Sequence, residues 1–273
     1  MHIIKNSRKN CIFLEDFALI YELKDTKKAK QLFAGCEETL VISCLEGVMG
    51  KVYVTNPMRP TAAMTSLGCF CFYAGDPERE LVERKPAGTV LMVPQNERWE
   101  SLIETCFPYA RRVERYAIKK NTVFDKEALR KNIEALPAGY ELARIDSARY
   151  DMCKENPVTA DFVSAFESKE RYLKEGRGFV VLKDGEIVSG ASSFSVYNRG
   201  IEIEVDTVEG ERRRHLATAA CSALILSCLE EGLYPSWDAQ NMASVHLAET
   251  LGYEFSHAYV AYVVTDREFE KGI

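Results

Sequence analysis

Two tight turns join three consecutive strand-like segments between residues 177 and 207, and this pattern constrains the fold more than any other in the chain. The segment "RGFVVL" is followed by Asp184 and Gly185, the pair favoured in two-residue hairpin loops, and then by "EIVSGASSFSV". A second turn at residues 198–200 leads into "IEIEVDT". Because loops this short connect antiparallel neighbours, we expect three antiparallel strands in one sheet.

Helices and strands surround this unit in a regular order. A helix over about residues 124–136, the short strand "YELARID" and helical spacing over residues 146–175 precede it. A helix that enters at about Arg213 and stops at Gly232 follows, then the short strand "LYPSWDA". A helix from Asn241, a plausible N-cap, through Leu251 and a strand around "AYVAYVV" complete the order. The expected fold is mixed α+β.

The first 120 residues also contain strand-like and helical segments. "GKVYVT", "LGCFCFYAG", "GTVLMVP" and "ARRVERYAIKK" read as strands, and "ERWESLIETCF" reads as a helix. We predict two domains, a smaller α+β domain over residues 1–121 and a second over residues 122–273, with the boundary in the polar "KKNT". The first is either a degenerate repeat of the second or an unrelated mixed domain.

Composition excludes several functional classes. A net charge of -6 argues against a general nucleic-acid binder and favours cationic or small neutral partners. Nine cysteines without a Cys-x-x-Cys spacing argue against a metal site and predict free thiols in a reducing cytoplasm. No apolar stretch approaches the roughly 20 residues that span a bilayer, so we expect no membrane association. The oligomeric state, monomer or homodimer, stays open.

Three arginines stand at the predicted start of a helix in "EGERRRHLATAA", residues 209–220. Each cation there opposes the helix dipole by roughly 0.3–1 kcal/mol, which calls for a compensating anion. The unsatisfied N–H groups of a helix N-terminus bind phosphate, and the small side chains of Ala217, Ala219 and Ala220 allow close approach. The stretch therefore predicts a pyrophosphate site; the alternative is a solvated basic run.

Residues 212–217 resemble the acyl-CoA loop of the GNAT superfamily of N-acetyltransferases, whose pattern is Arg/Gln-x-x-Gly-x-Gly/Ala. His215 departs from the first glycine of that pattern, so either the loop adjusts or the histidine contacts the cofactor. "NMASVHLAETLGYEF" resembles the superfamily's later motif, and the element order over residues 124–273 agrees. The most similar branch that we suggest is the zwittermicin A resistance-like one. The resemblance implies a GNAT-type, mostly antiparallel sheet flanked by helices.

The resemblance also implies acetyl-CoA as cosubstrate, without a metal. Backbone N–H groups that polarise the thioester carbonyl are expected among residues 205–208. Asn241 either caps its helix or contacts the pantetheine arm. The implied cofactor-binding residues are Val205, Thr207, Val208, Arg212, Arg213, Arg214, His215, Leu216, Ala217, Thr218 and Asn241.

Glu202, Glu204 and Asp206 in "IEIEVDT" share one face of a strand, because strand side chains alternate. That face is either solvated or, as the resemblance implies, beside the acceptor cleft, where a carboxylate could remove a proton from an ammonium group. Glu204 and Asp206 are the first candidates and Glu202 is the third. Asp238 could add negative charge to that pocket.

The resemblance further places Ala248 where a tyrosine often protonates the leaving thiolate. Tyr253, His246 or water could replace it, although Tyr253 fits a core position and His246 an exposed helical one. The predicted function is an acetyl-CoA-dependent N-acetyltransferase that acts on a primary amine of a small cationic metabolite or antibiotic. The alternative is a non-catalytic acyl-CoA-binding regulatory module with a decayed GNAT fold.

Overall fold

The structure, a computed structural model, describes residues 19–266. Its first half is built from short strands around three short helices. The elements are β1 (Tyr21–Glu22), a 3-10 helix (Thr26–Phe33), α1 (Thr39–Glu46), β2 (Lys51–Val54), β3 (Ala62–Leu67), β4 (Phe70–Gly75), α2 (Arg79–Glu83), β5 (Thr89–Pro94), α3 (Glu97–Cys106) and β6 (Arg111–Ile118). β3 is absent from the predicted elements because it is buried on both faces and so shows no alternation of polar and apolar residues.

The second half follows the predicted order closely. Its elements are α4 (Lys126–Glu134), β7 (Tyr140–Arg144), α5 (Ser147–Glu155), a 3-10 helix (Ala160–Phe162), α6 (Lys169–Glu175), β8 (Gly178–Lys183), β9 (Glu186–Tyr197), β10 (Gly200–Thr207), a 3-10 helix (Glu209–Glu211), α7 (Leu216–Glu230), β11 (Tyr234–Ser236), β12 (Asp238–Ala239), α8 (Met242–Thr250) and β13 (Phe255–Thr265). The three antiparallel strands are confirmed as β8, β9 and β10. Asp184 and Gly185 both have positive φ, 53° and 87°, as the predicted tight turn requires.

A five-stranded sheet in the order β11-β10-β9-β8-β7 forms the centre of the second half. β10 and β11 run parallel, but they pair only over residues 200–202 and 234–236. After Ser236 the chain passes through the buried Trp237 into β12, which pairs with β6 in the other sheet. The predicted single strand "LYPSWDA" is therefore two strands in two sheets, and a cleft opens beside the rest of β10.

The second sheet has eight strands in the order β1-β2-β3-β4-β5-β13-β6-β12. β13, the last strand of the chain, lies between β5 and β6 and is antiparallel to both. The segments on either side of residue 121 thus share this sheet, and the two-domain division stays a prediction. The parallel pair β4–β5, followed by α3 and β6, has the same order as β10–β11, α8 and β13.

Among residues 19–266, no helix combines the length and the apolar character that crossing a membrane requires. The eight cysteines in this part of the chain are free, and Cys11 lies outside it. Within the same residues, no three side chains of metal-ligand type come together in an arrangement that could hold a metal ion.

Candidate active site

A cleft of about 480 Å³ lies where β10 and β11 diverge. Glu204 and Asp206 enter it from β10, and Asp161 enters it from the 3-10 helix 160–162. The first half of the chain contributes Cys69, in the turn between β3 and β4, and Arg115 of β6. The cleft is therefore built from both halves of the chain.

Glu204 has the most perturbed carboxyl group of the cleft. Burial raises the pKa of Glu204 to about 8, and the nearby carboxylates of Asp161 and Asp206 act in the same direction. A carboxyl with such a pKa is mostly protonated at pH 7 and releases its proton slightly above it. This is the range in which a general base works most efficiently.

The other two candidates for the base lie in different surroundings. Asp206 lines the cleft with about 44% of its side chain exposed, and its Oδ1 accepts a hydrogen bond from Thr207 N at 2.6 Å. Glu202 is 5% exposed and accepts a hydrogen bond from the hydroxyl of Thr39 in α1. α1 packs against β10 near Glu202, so the structure does not bring Glu202 to the cleft.

Asp238 lines the cleft, but its charge is compensated. The guanidinium of Arg115 lies 2.5 Å from Asp238 Oδ1, and both side chains are about nine-tenths buried. The Tyr259 hydroxyl donates to Asp238 Oδ2 at 2.9 Å. Asp206 Oδ1 lies 3.8 Å from Arg212 Nη2, so the negative charge of the cleft lies on the side of Asp161 and Asp206, and Glu204 adds to it when it ionises.

The backbone of β10 offers an N–H donor in the cleft. Tyr234 N donates to Arg199 O on the β11 side, whereas Val208 N donates to Val188 O on the β9 side. The backbone N–H and C=O groups of odd-numbered residues of β10 therefore point toward β11, and those of even-numbered residues point toward β9. Pairing with β11 ends at Glu202 and Ser236, so the N–H of Val205 lies on the open side of β10, where it also donates to the Glu204 carboxylate and so opposes the rise in that pKa.

A second pocket of about 440 Å³, here called the loop pocket, lies between the arginine loop and α8. Seven of the predicted cofactor-binding residues line it, namely Thr207, Arg212, Arg213, His215, Leu216, Ala217 and Thr218. Hydrogen bonding within α7 begins when Ala219 N donates to His215 O, so the N–H groups of residues 216–218 precede the helical ladder. These donors and the arginines together favour a polyanion such as a pyrophosphate.

α7 begins at Leu216, three residues after the predicted entry at Arg213. Arg213 and His215 both have left-handed backbone conformations, with φ of 62° and 61°, which are incompatible with a continuing right-handed helix. His215 thus has the positive φ that glycine adopts readily, at a cost of roughly 1–2 kcal/mol for a residue with a β-carbon.

The remaining predicted cofactor residues lie outside the loop pocket. Val205 lines the cleft instead, and Val208 lines neither space, because its N–H pairs with β9. Arg214 does not line the loop pocket; its Nε lies 3.2 Å from Oε2 of Glu211, an acidic residue that does line it. Asn241 caps α8, with its side-chain oxygen accepting from Ser244 N at 3.0 Å.

The two side-chain candidates for protonating the thiolate, Tyr253 and His246, lie outside both spaces. Ala248 is fully buried in α8. Tyr253 is 3% exposed and donates its hydroxyl to Pro235 O at 2.6 Å. His246 is exposed, and neither its side chain nor that of Tyr253 lines the cleft or the loop pocket.

Sequence patterns missed several side chains that line the cleft. Asp161 and Arg115 belong to segments without any recognisable motif, and only the tertiary structure brings them to β10. Ser244 also lines the cleft and accepts a hydrogen bond from the Trp237 ring N–H at 3.1 Å. Ser244 stands three residues after Asn241, where the later motif begins its helix. This position was the only sequence signal that could have indicated Ser244 as a cleft residue.

The chain matches known proteins over most of its length. The sequence profile of the GNAT acetyltransferase family matches residues 30–262. A GCN5-related N-acetyltransferase-like protein from Streptococcus suis 89/1591 is 41% identical, with a TM-score of 0.83 over 87% of this chain and 97% of that one. A tandem GNAT protein from the clavulanic acid biosynthesis pathway has the same fold, with a TM-score of 0.52 and 12% identity over 90% of this chain and 98% of that one.

A curated relative matches a shorter region. The uncharacterized N-acetyltransferase YdfB of Bacillus subtilis (strain 168) is 29% identical over 143 residues, 51% of this chain. This match spans about half of that relative, 53% of its length. The family match, the Streptococcus structure and the arrangement of the cleft and loop pocket agree: this chain belongs to the GNAT acetyltransferase family.

Proposed function

We propose that this chain transfers an acetyl group from acetyl-CoA to a primary amine of a small cationic molecule. GNAT-fold acetyltransferases generally use acetyl-CoA. The observation that carries the proposal is the junction of two spaces at the end of β10. Asp206 lines the acidic cleft, and Thr207, the next residue, lines the cationic loop pocket. An acetyl donor in the loop pocket and an amine acceptor in the cleft would therefore meet at Asp206 and Thr207.

The loop pocket fits the phosphates of acetyl-CoA. Arg212 and Arg213 supply charge, and the N–H groups of residues 216–218 supply neutral donors. Ala217 leaves space for a close approach to the backbone. Acetyl-CoA, when bound, supplies the thioester whose carbonyl carbon is attacked.

Glu204 is the proposed general base. Its carboxylate takes a proton from the bound ammonium group, directly or through water, which leaves a neutral amine with a free electron pair. The Val205 N–H donates to the thioester carbonyl oxygen as the new C–N bond forms. When the C–S bond breaks, the attacking nitrogen releases its second proton and the thiolate takes one up, both through water, since Ala248 provides no acid at the expected position.

The charge of the cleft supports a cationic acceptor. Asp161 and Asp206 lie on one side, with Glu204 adding its charge when it ionises, while Arg115 is engaged by Asp238. A molecule with an ammonium group gains attraction there, whereas an anionic one would be repelled. An antibiotic-like amine, membership of the zwittermicin A resistance-like branch and a cytoplasmic location are further parts of this proposal.

Release of the CoA thiol in the presence of an amine panel tests the proposal. The panel contains polyamines, aminoglycosides and amino-polyol compounds, and mass spectrometry looks for a single added acetyl group. Thiol release that depends on an amine and falls in Glu204→Gln supports catalysis. Thiol release at the same rate without any amine would contradict it.

The alternative is a non-catalytic acyl-CoA-binding regulatory module. Ala248, which lacks a hydroxyl at the position where the superfamily often has one, is the observation that favours it. Tight acetyl-CoA binding with no acetylation across the panel would give this alternative precedence.

A further inference from the structure

A separate cavity of about 250 Å³, here called the Glu38 cavity, lies beside the first half of the chain. Its walls come from the segment that joins the first 3-10 helix to α1 and from β4, β5, β6 and β13. None of the described residues that line it also lines the cleft or the loop pocket. Because it is smaller than the roughly 300–1,000 Å³ typical of drug-sized ligand pockets, it suits a small molecule.

The Glu38 cavity has an apolar side and a charged side. Its apolar wall consists of Phe33, Phe72, Val93 and Ile118, all nine-tenths buried or more. Glu38 and Lys120 lie on the charged side. A ligand that matches both sides has an apolar body and one charged end.

The neighbours of Glu38 indicate that the charged end of the ligand is positive. Within residues 19–266, no group donates a hydrogen bond to its carboxylate. Lys120 lies near it, but its Nζ donates to Trp237 O at 2.8 Å and is also attracted to Glu202 and Asp238. Arg115, the other nearby cation, is engaged by Asp238.

Three carboxylates, those of Glu38, Glu202 and Asp238, therefore share two cations. Burial raises the pKa of Glu38 and of Glu202, and the charge of Asp238 acts in the same direction on both. A third positive charge beside Glu38 would stabilise its ionised form and provide the missing hydrogen-bond donor.

We propose that the Glu38 cavity binds a small primary amine in its protonated form, with the ammonium group against Glu38 and the apolar body against the opposite wall. This site is distinct from the acceptor cleft. The two spaces adjoin where Tyr259 and Lys120, which line the cavity, donate to Asp238 and to Trp237 O of the cleft.

Methyl NMR of the full-length chain, labelled at the alanine methyl groups, tests where an amine binds. The probe is benzylamine, and benzyl alcohol is the neutral control of similar shape. Shifts are expected at Ala74 and Ala117, which line the Glu38 cavity, before any at Ala165 of the cleft or Ala217 of the loop pocket. Benzyl alcohol should bind about tenfold more weakly, because it lacks the charge-assisted hydrogen bond.

Two glutamate variants provide the matched comparison. Glu38→Gln should weaken benzylamine binding by about tenfold or more, whereas Glu37→Gln should not, since Glu37 lines the same cavity but is exposed to solvent. Lys120→Gln should strengthen it, because a competing cation is removed; general damage to the fold would not produce a gain.

Several results would overturn the proposal. These are shifts at Ala165 alone, equal binding of benzyl alcohol, unchanged affinity in Glu38→Gln, or no shift at millimolar benzylamine. If Glu38→Gln does not fold, the position of the shifts in the unsubstituted chain and the comparison with benzyl alcohol decide the question.

Discussion

Arg115 of β6 and Asp238 of β12 form an ion pair, with 2.5 Å between Nη2 and Oδ1, that joins the first half of the chain to the strand bordering the cleft. Both side chains are about nine-tenths buried. The Tyr259 hydroxyl completes the arrangement from β13, the strand between β5 and β6. This pair therefore holds together the wall that the two halves share.

Removing one partner of this pair should destabilise the fold. Arg115→Met leaves the Asp238 carboxylate buried without its main counter-charge, and we expect a loss of about 3–5 kcal/mol in the free energy of unfolding. The double variant Arg115→Met with Asp238→Leu should lose clearly less. Urea denaturation measures the two single variants and the double variant. A loss in the double variant equal to the sum of the two single losses would contradict an interaction between Arg115 and Asp238.

Arg213→Ala should weaken acetyl-CoA binding, because the side chain lines the loop pocket. Hydrogen bonds to charged groups contribute about 1.5–3 kcal/mol, so a loss of roughly tenfold or more in affinity is expected by calorimetry. Arg214→Ala is the matched control, since Arg214 does not line the pocket and its charge is paired with Glu211. Equal losses in the two variants would indicate a general charge effect instead of a defined contact.

His215→Gly should leave the fold intact and raise its free energy of unfolding by up to about 1 kcal/mol. The reason is the φ of 61°, which glycine adopts without steric cost. His215→Ala removes the imidazole but keeps the β-carbon, so it should show no such gain. Acetyl-CoA affinity should be retained in His215→Gly; its collapse in a folded variant would identify the histidine as a ligand.

The rate of acetyl transfer should rise with pH through the pKa of Glu204. Burial raises this pKa to about 8, so the fraction of ionised base grows until slightly above that pH. Glu204→Gln should lower kcat/KM by about 10²–10⁴ with acetyl-CoA affinity nearly unchanged. Asp161→Asn is the comparison: it should act mainly on the KM for the amine and lose its effect at high salt.

Glu204 should also make stability depend on pH. Its folded pKa of about 8 exceeds its ordinary value of 4.5, so the folded state retains a proton that the unfolded chain releases. Its contribution to stability is complete below pH 4.5 and is lost as the pH rises through 8. Glu204→Gln does not titrate. In urea denaturation, its free energy of unfolding should therefore rise relative to that of the unsubstituted chain as the pH increases from 5 to 9. A constant difference would exclude a strongly shifted carboxyl at this position.

The sequence by itself determined the local elements around the arginine loop. The turn at Asp184 and Gly185 and the capping of α8 by Asn241 depend on residues at most a few positions apart, so their chemistry is readable in the sequence. Most residues that line the loop pocket lie in the short segment 212–218, so the sequence alone could identify them.

Only the tertiary structure decided which carboxylates meet in the cleft and what surrounds them. Alternation places Glu202, Glu204 and Asp206 on one side of β10, but packing of α1 encloses Glu202 and leaves the other two beside the cleft. Asp161 and Arg115 reach the cleft from distant segments, and β13 joins a sheet otherwise made mostly from the first half of the chain. These arrangements depend on contacts between residues far apart in sequence, which local patterns do not encode.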